Sequence, residues 1–121
     1  MKAIVKTKAE PGIEVLDLEE PTIDETEILV KVKAGSLCGS DMHIYEWTHG
    51  YEYLPLPVVL GHEYAGEVVE VGTKVAGVSV GDRITTDPRI TCGVCEFCRA
   101  GKRDACTDGK GLGFNTNGAF S

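Results

Sequence analysis

The sequence has no glutamine and only two asparagines, Asn115 and Asn117, a shortage of thermolabile amides that leans toward a heat-tolerant protein. It also lacks any apolar run near the ~18 residues that a membrane span needs. The longest candidate, Leu54 to Leu60, is broken by Pro55 and Pro57. No signal-peptide core or cleavage site follows Met1, so a soluble, cytoplasmic protein is expected. Basic residues are in deficit: 12 Lys and Arg stand against 19 Asp and Glu, a formal charge of −7. Without a basic stripe there is no electrostatic footprint for phosphate backbones, which argues against nucleic acid and anionic membranes as partners.

What remains is 121 residues, 42% hydrophobic, a length and composition that fit one domain spanning residues 1–121. Met1 to Lys8 alternates with a strand period, Ala3, Val5 and Thr7 against Lys2, Ile4 and Lys6. Ile13 to Leu18, Glu27 to Ala34, Tyr64 to Val71 and Arg83 to Thr86 read as further strands, punctuated by Pro11-Gly12, Gly35, Gly72 and Gly81-Asp82. Ser40 to Trp47 reads as a short helix, with Ser40 as N-cap and Met42, Tyr45 and His49 at near-helical spacing. Leu54 to Pro57 is extended because each proline disfavours helix in the residue before it. Short strands between Gly and Pro turns, with little helix, predict an all-β barrel or sandwich. The final Gly118-Ala119-Phe120-Ser121 resembles the start of another strand, so the chain is expected to be a fragment.

Five cysteines are present, an odd number in a chain without a secretion signal, which points to metal or catalysis rather than a disulfide framework. Cys92, Cys95, Cys98 and Cys106 fall in one polar stretch, 87–113. Two-residue spacers let successive thiolates curl around one ion, and a zinc tetrahedron wants four such ligands. A polar loop has no core of its own, so the metal replaces one. Gly93 and Gly101 let the backbone turn inside the knuckles. A closed structural zinc is favoured over an iron site, disulfides or free thiols.

Cys38 and His62 each have an ordinary alternative, a small buried hydrophobe and a hydrogen-bonded structural histidine. Together with a carboxylate they match the ligand types of catalytic zinc, which keeps one coordination position open. Gly61 and Gly66 bracket His62-Glu63, as though the backbone must bend there. Asp41 is positioned to accept from the far ring nitrogen of His62 and fix its tautomer. Ser40 and His43 offer a hydroxyl and an imidazole for a proton relay. Met42, Trp47 and Tyr51 read as packing, and Glu19-Glu20 and Asp24-Glu25 as a solvated face.

Gly61-His62-Glu63-x2-Gly66-x5-Gly72-x2-Val75 resembles the zinc signature of medium-chain, zinc-dependent alcohol dehydrogenases. Cys38-Gly39-Ser40-Asp41-x-His43 and the four-cysteine lobe resemble the same family in the same order, over essentially all 121 residues. Within it, His43 to Trp47 and the Met1-Lys2-Ala3 start are most similar to the L-threonine 3-dehydrogenase and polyol dehydrogenase branch. The resemblance implies a GroES-like β-barrel catalytic domain. It implies that Cys38 and His62 bind catalytic zinc, with Glu63 binding directly, through water or transiently. Ser40 would hydrogen-bond the substrate alcohol and His43 would pass its proton to solvent. Cys92, Cys95, Cys98 and Cys106 would hold structural zinc.

The same resemblance implies NAD(P)-dependent oxidation of a secondary alcohol to a ketone, with L-threonine as the first substrate to test, in a protein that is homo-oligomeric when full length. A nucleotide-binding Rossmann domain and a further zinc ligand, which the family places beyond this region, are not in the chain. Gly109-x-Gly111-x-Gly113 lacks the dinucleotide-binding spacing and has no βαβ unit after it. The chain alone is therefore expected to be inactive. A stand-alone zinc-binding, chaperonin-10-like module without catalysis is the rival reading. The zinc-free quinone-reductase branch is disfavoured by Cys38, His62 and the four-cysteine lobe.

Overall fold

A computed structural model describes residues 1–121. Eight short strands, two helices and a 3-10 turn follow in order: β1 (Lys2–Lys6), β2 (Glu14–Asp17), β3 (Ile28–Ser36), α1 (Gly39–Glu46), β4 (Val58–Val59), β5 (Glu63–Val71), β6 (Arg83–Thr85), β7 (Arg89–Ile90), α2 (Glu96–Arg99), the turn Arg103–Ala105, and β8 (Lys110–Gly111). All pairings are antiparallel, in sheets ordered β2-β1-β4, β3-β5-β6 and β7-β8. The strand-rich architecture expected from the turn spacing is the one observed. No helix is long and apolar enough to cross a membrane.

Alternation decides which faces meet. Ala3 and Val5 of β1 pack with Val59, flanked by Leu16 and Leu18. A second cluster joins Ile44 of α1 to Leu54, Val58 and Leu60, with Trp47, Tyr51, Phe114 and Phe120 around it. Full burial of a side chain such as Ile44, at 0% exposure, contributes about 1.5–3 kcal/mol. β4 has only two residues, yet it lies under both clusters and runs directly into Gly61-His62. Only 15 of 121 residues are buried, and none lies between Asp87 and Leu112, so the cysteine lobe has no apolar core.

Three local expectations change. Helix α1 begins at Gly39 with Cys38, not Ser40, as N-cap, and the Cys38 N–H donates to Asp41 Oδ2 at 2.9 Å. Its inward residues are Asp41 and Ile44, whereas Met42 and Tyr45 are half exposed. The helix turns a carboxylate, Asp41, inward beside Ile44, so the apolar spacing did not mark the buried side. Gly118 to Phe120 closes onto β4 and β1 through single backbone bonds, Gly118 N–H to Val59 O, Phe120 N–H to Leu60 O and Ile4 N–H to Phe120 O.

Gly61 and Gly66 serve different purposes. Gly61 sits at φ +94, where a side chain is strained, and a Cβ there would collide with the Phe120 ring. Gly66 is needed for space, because a Cβ would press on Val30 and the Lys31 carbonyl of β3.

Candidate metal centres

The cysteine lobe is held by its own backbone geometry. Gly93 and Gly101 adopt φ of +73 and +74, letting the chain reverse between thiols. Successive amides point at the sulfurs: Cys95 N–H donates to Cys92 Sγ, Cys98 N–H to Cys95 Sγ and Cys92 N–H to Cys106 Sγ, each at 3.4 Å. Such donors stabilise thiolate over thiol. Accordingly, amides of Cys98 and Thr107 draw the Cys95 thiol down to about 6, and the Cys92 amide lowers that of Cys106. Desolvation, with Cys95 alongside, pushes Cys98 up to about 12. Like charges crowded together cannot all ionise without a cation among them.

All five cysteines are free. Cys92 Sγ lies 3.6 Å from Cys106 Sγ and 4.0 Å from Cys98 Sγ, far beyond a disulfide bond of about 2.05 Å. A tetrahedron with metal–sulfur bonds of about 2.3 Å has edges of about 3.8 Å. The four sulfurs, all within 4.8 Å of one another, therefore fit one zinc-sized ion. Arg89 pairs with Asp104, and Arg103 reaches Asp87 at 4.0 Å, tying the lobe to the strand that enters it.

The second centre forms where α1 meets the β4–β5 junction. Cys38 at the helix start, His62 after Gly61 and Glu63 at the head of β5 bring a thiol, an imidazole and a carboxylate within 4.8 Å of one another. His62 is buried and Glu63 exposed, so the cluster has a protein wall on one side and an open side on the other. The open side is a cleft of about 460 Å³ bordered by Ser36, His62, Glu63 and Thr86.

Asp41 lies behind the imidazole. Its Oδ1 is 3.6 Å from His62 Nδ1, both groups are more than nine-tenths buried, and neither atom has another partner. That leaves Nε2 as the candidate ligating nitrogen, with Ser40 Oγ 3.4 Å from it. The ring is wedged on another side by Phe114, 4.9 Å between centroids. The donor types and the facing, otherwise orphaned atoms Asp41 Oδ1 and His62 Nδ1 fit a metal ion bound on the Nε2 side.

His43 stands apart from this group. It is exposed on α1 and stacks on Tyr51 at 6.1 Å, with no hydrogen bond to Ser40. Trp47 and Tyr51 do pack against the Ile44 cluster, but Met42 is 50% exposed and does not. Phe114 had no signal in the sequence, because it lies in a Gly- and Asn-rich tail with no periodicity.

Comparison with known proteins places this geometry. The Alcohol dehydrogenase GroES-like domain family matches residues 24–121. L-threonine 3-dehydrogenase of Pseudoalteromonas atlantica is 47% identical over 122 aligned residues, covering 100% of this chain and 36% of the relative. Galactitol-1-phosphate dehydrogenase of Escherichia coli superposes with a TM-score of 0.88 at 29% identity, over 100% of this chain and 34% of that one. An alcohol dehydrogenase of Escherichia coli CFT073, complexed with NADH, gives 0.85 at 39% identity, over 99% and 34%. The chain thus spans about a third of the length of the proteins it matches.

Proposed function

Because the chain belongs to the zinc-dependent alcohol dehydrogenase family, through its GroES-like domain, we propose that it is the metal-binding, substrate-side domain of an NAD(P)-dependent dehydrogenase. The reaction is oxidation of a secondary alcohol to a ketone, and L-threonine is the substrate to test first, as the name of a 47% identical relative suggests. The observation that carries the proposal is the convergence of Cys38, His62 and Glu63, two of which, His62 and Glu63, line an open cleft.

Cys38, His62 and Glu63 would hold zinc, which supplies Lewis acidity that makes an alcohol easier to deprotonate. Asp41 holds the His62 ring from behind and fixes its tautomer. The Ser40 hydroxyl, next to His62 Nε2, is placed to hydrogen-bond the substrate oxygen and accept its proton. His43 lies at the solvent side and would carry that proton away, with water bridging the gap from Ser40. Glu63, exposed at the mouth, can bind metal or release it to water. Cys92, Cys95, Cys98 and Cys106 would hold a second ion, with no coordination position left for chemistry.

The test is Cys38→Ser in the dehydrogenase that carries this domain. Turnover of L-threonine with NAD(P) should be abolished while the melting temperature barely moves. Unimpaired turnover would remove the open-site assignment. Turnover of another secondary alcohol, but not L-threonine, by the parent protein would keep the reaction class and correct the substrate.

A further inference from the structure

The most buried charged side chain in the molecule lies outside both metal centres. Lys6, at the end of β1, is 0% exposed. Its ammonium donates to the carbonyls of Glu10, Gly12 at 2.9 Å and Tyr45 at 3.5 Å. An ammonium has three donors and no acceptor, so three carbonyls satisfy it fully. The fourth side of the cage is the Trp47 ring, 5.0 Å from Nζ to centroid. Trp47 ends α1 in the left-handed conformation at φ 53. Gly12 N–H also donates to Tyr45 O at 2.8 Å. A cation at the carbonyl end of a helix is favourably placed against the helix dipole.

What matters is which elements this cage joins. Lys6 pairs with Val58 and Val5 with Val59, so β1 fixes β4, which leads through Leu60 and Gly61 to His62. The ammonium fixes the far end of α1, the helix whose opening turn carries Cys38, Ser40 and Asp41. The strand that positions one ligand and the helix that positions the other are therefore clamped by one side chain. Burying a lysine is costly unless it is compensated, and here the compensation comes from backbone carbonyls and an indole face, with the charge of Glu10 nearby. A hydrophobic residue would fill the same space without holding the helix end.

We infer that Lys6 is a positioning residue for the open metal centre, setting the spacing between Cys38 and His62 from behind both. This rests on the metal reading proposed above, and the experiment separates the two. The 121-residue chain, its cysteine lobe first filled with one equivalent of zinc, is titrated with Co2+. The Cys38 thiolate-to-cobalt absorption band reports the open centre. In Lys6→Met, cobalt affinity should fall by about tenfold or more, as it does when groups that orient metal ligands are removed. The zinc in the lobe, counted by native mass spectrometry, should be retained.

The converse follows from linkage: if the clamp favours metal binding, metal binding must tighten the clamp. Cobalt loading of the parent chain should therefore slow hydrogen exchange at the Gly12 amide, which bonds to Tyr45 O. A folded Lys6→Met chain that binds cobalt as tightly as the parent overturns the assignment. Should that variant not fold, an unchanged Gly12 exchange rate in the parent overturns it equally. A parent chain that takes up cobalt nowhere outside the lobe defeats the metal reading, and the role of Lys6 with it.

Discussion

His62 is positioned by the glycine before it as much as by its own contacts. Gly61 at φ +94 turns the chain so that the imidazole faces Cys38, and it leaves room for the Phe120 ring. A Cβ at this position meets both penalties, backbone strain of about 1–2 kcal/mol and overpacking of about 1–3 kcal/mol. Gly61→Ala should therefore lower stability by roughly 2–5 kcal/mol in urea denaturation, and a parent-like midpoint would contradict the crowding. Cys38, His62 and the lobe cysteines were legible at this scale because such residues are few and their spacing is constrained by ligand geometry. Lys6 was not: alternation set it beside Lys2 and Ile4 on the strand's other face. Only the fold brings the carbonyl of Tyr45, 39 positions away, to its ammonium.

Among the elements, alternation placed the strands but not all of their faces, since β1 buries Lys6 beside Val5 and β3 meets β5 with shifts of register, while the cysteine lobe followed its spacing. The start of α1 did not follow its residue types. Ser40 is the better cap in general, but the Asp41 carboxylate reaches the Cys38 amide and moves the helix start upstream. The lobe is where metal and structure are least separable, because nothing between Asp87 and Leu112 is buried. Stripping its metal with a chelator should unfold this element first while the sheets persist. Brief trypsin digestion should then cut at Arg99, Lys102 and Arg103 before any site in β1 to β5. Cys98→Ser should show the same cleavage pattern without chelator. Equal protection of these sites in the stripped protein would count against a structural ion.

For the whole molecule, the two centres differ in how complete they are within this chain. The lobe offers four thiols around one point, the open centre a thiol, an imidazole and an exposed carboxylate. Native mass spectrometry after extensive dialysis should find one zinc per chain, with a second appearing only in excess zinc. A metal-free chain with oxidised thiols would return the cysteines to disulfide chemistry. The all-β class was readable from the density of turns. The pairing of β1 with β4 was not, since β4 is two residues long and its register is set by what lies above and below it.

The contacts of Phe120 bear on how such a chain leaves the ribosome. Ile4 N–H bonds to Phe120 O, and Phe120 N–H to Leu60 O, so the first strand finds this partner only after every residue between Ile4 and Phe120 has been synthesised. Contacts of such long sequence separation are slow to form. Until then β4, paired only with β1, stays an open edge, a state in which unpaired strand edges invite association with other nascent chains. The four-cysteine lobe is built from residues close in sequence; were it to bind the ion its sulfurs fit, it would close earlier and independently, and metal supply during synthesis would decide how much of the molecule is already ordered when the barrel closes.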